Sequence, residues 1–437
     1  MIKITGGITM KKQLGKLIFG ACMAIFAVTL IACGGNDNDT DQGAAHTDGG
    51  TPATSEPIEI VMWGSWSGGQ IDQLEALIEI YNNSQDEFRV VYVVQQMLEE
   101  QLLTGIAGGE LPDLILWDRV QTAPYAARGA LKSLDALIER DGVDMDSFFS
   151  EAVREMNVDG EQFGIPLLVD TRIIFYNRDL MGDFEVPRTW DDVLEVAPQL
   201  TVRDGHTLVQ SGFSLQDVGL FNMYMLQAGG ELMDEADLSV NFDSPAGHSV
   251  LEFWDALLND ERVFDLGFDA DGNQFAAGNL AMFYNGPWAI ADLGNVEDLN
   301  FGVSLPLVGP NGDTGSIMGG FGLVMPQGSP NYEGAWDFMR WWTTQPENGV
   351  EFGRISGWIP ANIEAANDPF FTDDDIYAVF VEAMNNARIR PTVEGYANFE
   401  GLVLIPQLQN WISGTIDAQE ALSTVDEQGT QLLRENN

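Results

Sequence analysis

Apolar runs alternate with amphipathic stretches through the middle of this 437-residue chain, and the alternation predicts strands that are each followed by a helix. Residues 59–63 form a short apolar run that enters a glycine-rich turn, and apolar residues recur at helical spacing over 71–81. A run rich in β-branched residues covers 88–94, a second helical pattern covers 97–107, and a third apolar run covers 112–117. This order predicts an α/β fold with a largely parallel, doubly wound sheet.

Two of the predicted strands end in loops that combine aromatic and polar side chains. Ligands of open α/β sheets bind beyond the carboxyl ends of the strands, so loops at these ends are candidates for a binding site. Ordinary packing of the tryptophans in the core is the alternative that the pattern leaves open. The candidate residues in these two loops are Trp63, Ser65 and Trp66 after the first strand, and Trp117, Asp118 and Arg119 after the third.

The stretch Phe275–Trp288, FAAGNLAMFYNGPW, places a large aromatic ring directly after a chain break. Phe275, Gly278 and Met282 fall near one face at helical spacing, which predicts a short helix with Phe275 and Met282 in the core. Gly286-Pro287 then interrupts regular structure. We expect this break to hold Trp288 at the lip of a cleft, although a core tryptophan after a turn fits the same pattern.

The motif F-x-x-G-x-x-A-M-x-x-x-G-P-W within this stretch resembles the signature of the extracellular solute-binding proteins of family 1, the carbohydrate receptors of ABC importers. Similar markers follow that family's order in GIPLLVDTRIIFYNRDL, in VPRTWDDV and in Gly357-Trp-Ile-Pro360. The resemblance implies two doubly wound domains joined by a multi-strand hinge, with the ligand cleft between them. The implied lobes are residues 58–165 with 306–354, and residues 166–305 with 355–437.

The same resemblance implies roles for individual residues. In the family the Trp at the position of Trp288 stacks on a sugar ring, and Trp358 is a second candidate for stacking. Asp170 falls where members of the family carry a sugar-binding carboxylate, although a capping role fits it equally. Gly320 lies in a glycine-rich turn that would let the backbone approach a neutral ligand. The implied function is capture of a sugar or oligosaccharide by domain closure, followed by delivery to a membrane permease.

The beginning of the sequence has the pattern of an export signal. Four lysines precede an apolar run at Leu17–Ala32, which is shorter than the ~20 residues of a membrane span. Leu30-Ile-Ala-Cys33 resembles a bacterial lipobox, so residues 1–32 are predicted as a signal peptide and Cys33 as the lipidated residue. Residues 33–57 lack apolar periodicity and are predicted as a disordered acidic tether. We expect an exported protein that is lipid-anchored to the outer face of the cytoplasmic membrane; an uncleaved anchor helix is the alternative.

The charge balance excludes nucleic acid as a partner. The chain has 67 acidic and 20 basic residues, a formal charge of −47, and without the four lysines of the signal segment the charge is −51. Nucleic acid is excluded as a partner because no basic surface could neutralise its phosphates. So large a self-repulsion suggests adaptation to high salt or to alkaline conditions. The cysteines are Cys22 and Cys33 only, so no disulfide is expected in the mature fold.

The sequence lacks the motifs of the common hydrolytic and metal-dependent mechanisms. It contains three isolated histidines, no H-E-x-x-H motif, no Cys–His ligand set and no G-x-S-x-G nucleophile elbow. We therefore expect no metal, no cofactor and no catalytic residue, in a monomer whose partners are a carbohydrate and the subunits of an ABC permease. A receptor for a polyamine, a peptide or a metal chelate remains open. So does a secreted glycoside hydrolase, since paired carboxylates arise readily among so many acidic residues.

Overall fold

The computed structural model describes residues 56–436; the predicted signal segment, Cys33 and most of the predicted tether lie outside the described residues. The strands are Ile58–Gly64 (β1), Phe88–Val94 (β2), Leu114–Asp118 (β3), Asn157–Val158 (β4), Glu161–Gln162 (β5), Gly164–Pro166 (β6), Leu168–Val169 (β7), Ile173–Asn177 (β8), Val202–Asp204 (β9), Thr207–Gln210 (β10), Met233–Asp234 (β11), Ser239–Val240 (β12), Met282–Asn285 (β13), Phe301–Ser304 (β14), Ser316–Ile317 (β15), Phe321–Val324 (β16), Ile359–Pro360 (β17) and Ala387–Arg388 (β18).

The helices surround these strands, and two of them run into single π-helical turns at Ala256–Asp260 and Glu400–Leu404. The α-helices are Gly69–Ser84 (α1), Leu98–Gly108 (α2), Thr122–Ala127 (α3), Asp135–Asp141 (α4), Ser150–Glu155 (α5), Arg178–Met181 (α6), Trp190–Val196 (α7), Phe221–Gln227 (α8), Pro245–Asp255 (α9), Ala289–Gly294 (α10), Tyr332–Thr343 (α11), Pro346–Ser356 (α12), Ile363–Ala366 (α13), Pro369–Thr372 (α14), Tyr377–Met384 (α15), Tyr396–Phe399 (α16), Ile405–Ile412 (α17) and Ala418–Asn436 (α18).

The larger sheet has five strands in the order β2-β1-β3-β16-β6. Strand β1 is parallel to both β2 and β3, which confirms the parallel arrangement predicted for the first three strands. Strand β16 is antiparallel to both β3 and β6. The mixed sheet results because β16 comes from a distant part of the chain that returns to the sheet in the opposite direction.

A second sheet has three antiparallel strands in the order β13-β8-β14. The short helix predicted over 275–282 is wrong, because the chain turns at 274–278 and then forms β13 beside β8. Gly278 has a φ of 75°, which closes the turn in a conformation that favours glycine. Phe275 and Met282 are nevertheless both buried, as predicted for core residues, and the Phe275 ring lies 4.6 Å from that of Phe283.

Alternate residues of the buried strands enter different cores. In β3, Leu114 and Leu116 pack in a core that includes residues of α1, α11 and α12, whereas Ile115 and Trp117 pack on the opposite face with Leu102 of α2. In β8, Phe175 faces the same core as Leu114 and Leu116. Ile174 faces a second large core, formed with the helices that pack against the second sheet. The sheets are therefore covered on both faces, as expected of a doubly wound fold.

The chain crosses from the larger to the smaller sheet at 167–172 and back at 305–320. These two crossings, together with residues 357–362, are called the hinge segments below. Strand β7 pairs with β17, so the first and third hinge segments lie side by side. The second segment joins the first through reciprocal backbone hydrogen bonds of 3.1 Å between Asp170 and Gly319. Among residues 56–436, no helix has both the length and the apolar character needed to cross a membrane.

Candidate functional site

The loop after β1 presents its two tryptophans in different ways. Trp66 is buried and Trp63 is half-buried, while Ser65 between them is exposed. The Trp66 backbone N–H donates a hydrogen bond of 3.0 Å to the Tyr92 hydroxyl. Burial raises the pKa of Tyr92 to about 12, so the phenol remains neutral and available to hold this loop. Trp66 is thereby fixed with its ring directed towards the hinge segments.

Four aromatic rings from separate parts of the chain meet beside the hinge segments: Trp66, Trp288, Phe321 and Trp358, called the aromatic cluster below. The rings of Trp66 and Trp358 are stacked with centroids 5.7 Å apart and an interplanar angle of 16°. Phe321 meets Trp66 edge-on at 5.1 Å and Trp358 edge-on at 5.7 Å. Trp288 lies 5.4 Å from Trp358. The structure thus brings together three tryptophans that the sequence nominated separately.

Trp288 is held in place by its own chain break. A β-carbon on Gly286 would fall inside the Trp288 ring, so the ring rests directly on the glycine backbone. On the ring's surface the Arg172 guanidinium lies 4.3 Å from the centroid, a cation–π contact. Trp288 remains only half-buried, in contrast to Trp66 and Trp358, which are 3% and 4% exposed.

Asp170 and Arg172 form a polar pair next to the aromatic cluster. The Arg172 Nη1 lies 2.9 Å from the Asp170 carboxylate, whose side chain is 8% exposed. The Arg172 backbone N–H donates to the Ser316 hydroxyl at 3.1 Å, and that hydroxyl donates to the Arg172 carbonyl at 2.9 Å. Both charged side chains are therefore positioned by bonds between the first and second hinge segments.

Two of the three candidates at the end of β3, Trp117 and Asp118, lie apart from the aromatic cluster. Trp117 has no exposed surface and packs edge-on against Tyr125 at 5.1 Å, because the alternation of β3 turns it away from the hinge segments. Asp118 is half-buried, and burial raises the pKa of its carboxyl group while the charge of Arg390 opposes that shift. Of these two, only Asp118 faces the polar side of the site.

Arg119 is fully buried and joins the larger sheet to the hinge segments. Its Nε lies 2.9 Å from Glu155, its Nη1 donates to the Leu168 carbonyl, and its Nη2 donates to the Gly319 carbonyl at 2.6 Å. Gly320 has a φ of 130°, and a β-carbon there would strike the Leu168 carbonyl and Arg119. The backbone at Gly320 thus lies close to the hinge itself, and its expected approach to a ligand stays a prediction.

A cavity of about 490 Å³ opens beside β13. Its volume lies within the range of about 300–1,000 Å³ usual for ligand sites. Its wall combines polar and aromatic side chains, and none of the described residues that line it is a lysine or an arginine. The polar lining residues are Ser214, Gln216, Asp217, Asp269, Asp271 and Asn285.

Sequence reasoning missed two members of the site, Arg172 and Phe321. Arg172 lies within the stretch that carries the family resemblance, two residues after Asp170, and that spacing was the available signal. Phe321 follows Gly320 at the start of β16, and only the return of this strand to the larger sheet brings its ring to Trp66.

Comparison with known proteins establishes the family. Residues 76–379 match the model of the bacterial extracellular solute-binding proteins. The chain belongs to this family of solute-binding proteins. Among its relatives, the maltotriose-binding protein of Pyrococcus abyssi is 25% identical over 340 residues, covering 76% of this chain and 73% of that protein. The sn-glycerol-3-phosphate-binding periplasmic protein of Escherichia coli is 23% identical over 406 residues, covering 86% and 92%.

Solved structures of sugar-binding proteins share the fold of this solute-binding protein. The GacH receptor of Streptomyces glaucescens, studied with acarbose, superposes with a TM-score of 0.77 at 24% identity, covering 87% of this chain and 100% of that one. The cyclic α-maltosyl-1,6-maltose binding protein of Arthrobacter globiformis gives a TM-score of 0.75 at 20% identity, with the same coverage. These likenesses confirm the expected periplasmic-binding-protein fold.

Proposed function

We propose that this protein is the exported receptor of an ABC importer and that it captures a neutral sugar or oligosaccharide. Capture occurs by closure of its two lobes around the ligand, and the closed form delivers the ligand to a membrane permease. The protein is anchored through a lipid on Cys33, and its acidic tether lets the receptor domain reach the permease. The lobes are those inferred from the sequence, residues 58–165 with 306–354 and residues 166–305 with 355–437.

The observation that carries this proposal is the aromatic cluster beside the Asp170–Arg172 pair. Sugars combine apolar C–H faces with hydroxyl rims, so a site needs flat aromatic surfaces together with hydrogen-bonding groups. Trp66 comes from the larger sheet, whereas Trp288 follows a strand of the smaller one. A ligand that inserts between these rings therefore touches both lobes and favours the closed form by its differential affinity. The binding of maltotriose named for a relative and of acarbose named for a structural neighbour agrees with this ligand class.

A titration of intrinsic tryptophan fluorescence tests the proposal on the chain that begins after Cys33. The probes are maltotriose, mannobiose, sn-glycerol 3-phosphate and spermidine. We expect a saturable change with at least one neutral sugar. A response to spermidine or sn-glycerol 3-phosphate alone would reject the sugar assignment in favour of a cationic or an anionic solute.

The variant Trp288→Ala locates binding at the aromatic cluster. We expect its affinity for the best sugar to fall at least about tenfold, a loss of about 1.4 kcal/mol, while its melting temperature stays close to that of the wild type. The matched control is Trp341→Ala, since Trp341 is also half-buried and packs on other rings, those of Tyr81 at 5.1 Å and Phe338 at 6.0 Å. Equal affinities for these two variants would contradict a site at Trp288.

Membrane attachment is tested separately on the full chain. Wild-type protein is expected in the membrane fraction of a bacterial host that processes lipoproteins, and Cys33→Ser is expected in the soluble exported fraction. A wild-type chain found wholly in the soluble fraction would exclude the lipid anchor without affecting the sugar assignment.

A further inference from the structure

A second, smaller cavity of about 210 Å³ lies behind Arg172, on the side of the hinge segments that faces the C-terminal helices. Its wall combines Asp170 and Arg172 with Asn222 of α8, Arg390, and Glu400 at the start of the second π-helical turn, and it is called the hinge pocket below. Arg172 borders both this pocket and the Trp288 ring. A ligand lying on the aromatic cluster is therefore separated from the hinge pocket by a single side chain.

Four of the five charged side chains that line the hinge pocket form two ion pairs, and the fifth is the Asp217 carboxylate. Arg172 lies 2.9 Å from Asp170, and Arg390 lies 3.3 Å from Glu400. The Asn222 amide also donates to the Glu400 carboxylate. Two guanidinium groups and three carboxylates thus offer donors and acceptors side by side, with the Asp217 carboxylate in excess of the two pairs. A hydroxyl group can accept from the one and donate to the other.

Two features of the hinge-pocket wall are unfavourable for the stability of the folded protein. Arg390 is largely buried, and its Nε is a buried donor without a hydrogen-bond partner in the described part of the chain. Glu400 begins a π-helical turn, a conformation that is rare and is frequently found at functional sites. On the opposite side of that turn Leu402 is 70% exposed, so the turn directs Glu400 inward at the expense of an apolar side chain in water.

We propose that the hinge pocket is a binding subsite for an uncharged, hydroxyl-bearing ring and that the Arg390–Glu400 pair selects neutral ligands over anionic ones. This inference rests on the proposed sugar-binding function and identifies the subsite that binds one ring of the ligand. An anionic group has to compete with Asp170 and Glu400 for the two guanidinium groups. A cationic group is attracted by Asp217, so the paired arginines do not exclude it. A neutral ring does not have to compete for either arginine.

The first test is Glu400→Gln, measured by titration calorimetry with the neutral sugar that binds the wild type best and with sn-glycerol 3-phosphate. We expect the affinity for the sugar to fall at least about tenfold, and the affinity for the phosphate to rise at least about tenfold, because Arg390 is no longer neutralised. A merely structural role of Glu400 would lower both affinities or neither. Glu333→Gln is the matched control, since Glu333 is an exposed carboxylate that is also paired with an arginine, Arg140 at 2.8 Å.

A second variant leaves every charge of the hinge pocket in place and reduces only the volume of the pocket. Ile317 lines the hinge pocket and lies in the short strand β15, where Ile317→Trp would fill part of the cavity. We expect the same tenfold loss of sugar affinity with no gain for the phosphate. This variant keeps the proposal open to refutation even where loss of the Arg390–Glu400 pair unfolds the protein.

The outcomes separate this proposal from the proposed function. Sugar binding by the wild type together with near-normal sugar affinity in both Glu400→Gln and Ile317→Trp overturns the hinge pocket alone. Absence of binding to any neutral sugar by the wild type overturns the proposed function, and the subsite with it. Loss of sugar affinity in both variants, with a gain for the phosphate only in Glu400→Gln, supports the subsite.

Discussion

Arg119 provides a direct test of whether a residue beside the site binds ligand or supports the hinge. The sequence nominates it as a ligand contact, but its guanidinium is fully buried and is engaged by Glu155 and by the carbonyls of Leu168 and Gly319. The perturbation is Arg119→Met, which keeps the length and the apolar stem of the side chain and removes its charge and donors.

The expected cost follows from what the methionine leaves behind. Removing one partner of a buried ion pair costs about 3–5 kcal/mol, because the other group remains in the interior without compensation. Two hinge carbonyls lose their donor as well. In the double variant Arg119→Met/Glu155→Leu the buried carboxylate is also gone. We therefore expect it to recover at least half of that loss, since a buried ion pair replaced by apolar side chains is often close to neutral.

The assay is urea unfolding followed by tryptophan fluorescence, together with a sugar titration at a temperature where every variant is folded. We expect Arg119→Met to lose about 3–5 kcal/mol of unfolding free energy above pH 7, where Glu155 is charged. Its sugar affinity should fall less than that of Trp288→Ala. The control Arg140→Met removes an exposed arginine and should cost far less stability than Arg119→Met. A stable Arg119→Met that fails to bind sugar would refute this reasoning and restore Arg119 as a ligand contact.

Three further predictions follow from the structure and the charge. Gly286→Ala displaces the Trp288 ring, and because that ring can rotate we expect a small loss of stability with at least a tenfold loss of sugar affinity by fluorescence titration; an unchanged affinity would contradict the packing at Gly286. Burial raises the pKa of Glu155 from its usual 4.5 to about 7 against the opposing charge of Arg119. Its protonation therefore adds about 3 kcal/mol to the free energy of unfolding, which is fully present below pH 4.5 and is lost as the pH rises through 7. Glu155→Gln should flatten this part of the stability–pH curve, and a curve parallel to the wild type would refute the assignment. The melting temperature should rise from low to molar NaCl because salt screens the large acidic excess, and a flat or falling dependence would count against salt adaptation.

The sequence predicts the elements well where polar and apolar positions contrast. The bounds of β2 match the predicted run over 88–94, and the helical stripe over 71–81 is α1 with Leu74, Leu77 and Tyr81 buried. The helix predicted before Trp288 is wrong because a contact distant in sequence decides the structure there. Its apolar residues fit a helical stripe, but pairing with β8 decides the outcome, and β8 lies more than 100 residues earlier in the chain.

The candidate site shows the same limit at the level of single side chains. Leu114–Trp117 is apolar at every position, so the alternation of β3 leaves no mark in the sequence that would assign Trp117 to one face. Arg172 pairs with a neighbour two residues away, whereas Arg119 finds Glu155 36 residues away and the Gly319 carbonyl 200 residues away. Residues of the hinge pocket such as Arg390 and Glu400 carry no motif, and they are recognised only from the cavity that they share.

The position of these charges explains how binding is coupled to closure in the proposed mechanism. Arg119 ties the larger sheet to Leu168 in the first hinge segment and to Gly319 in the second, while Ser316 ties the second segment to Arg172. Arg172 in turn lies on Trp288, at the end of a strand of the smaller sheet. A ring that settles against Trp288 and Arg172 thus acts on the same hydrogen bonds that fix the relative position of the two sheets. We therefore expect ligand binding and the geometry of the hinge segments to change together, because the same few side chains determine both.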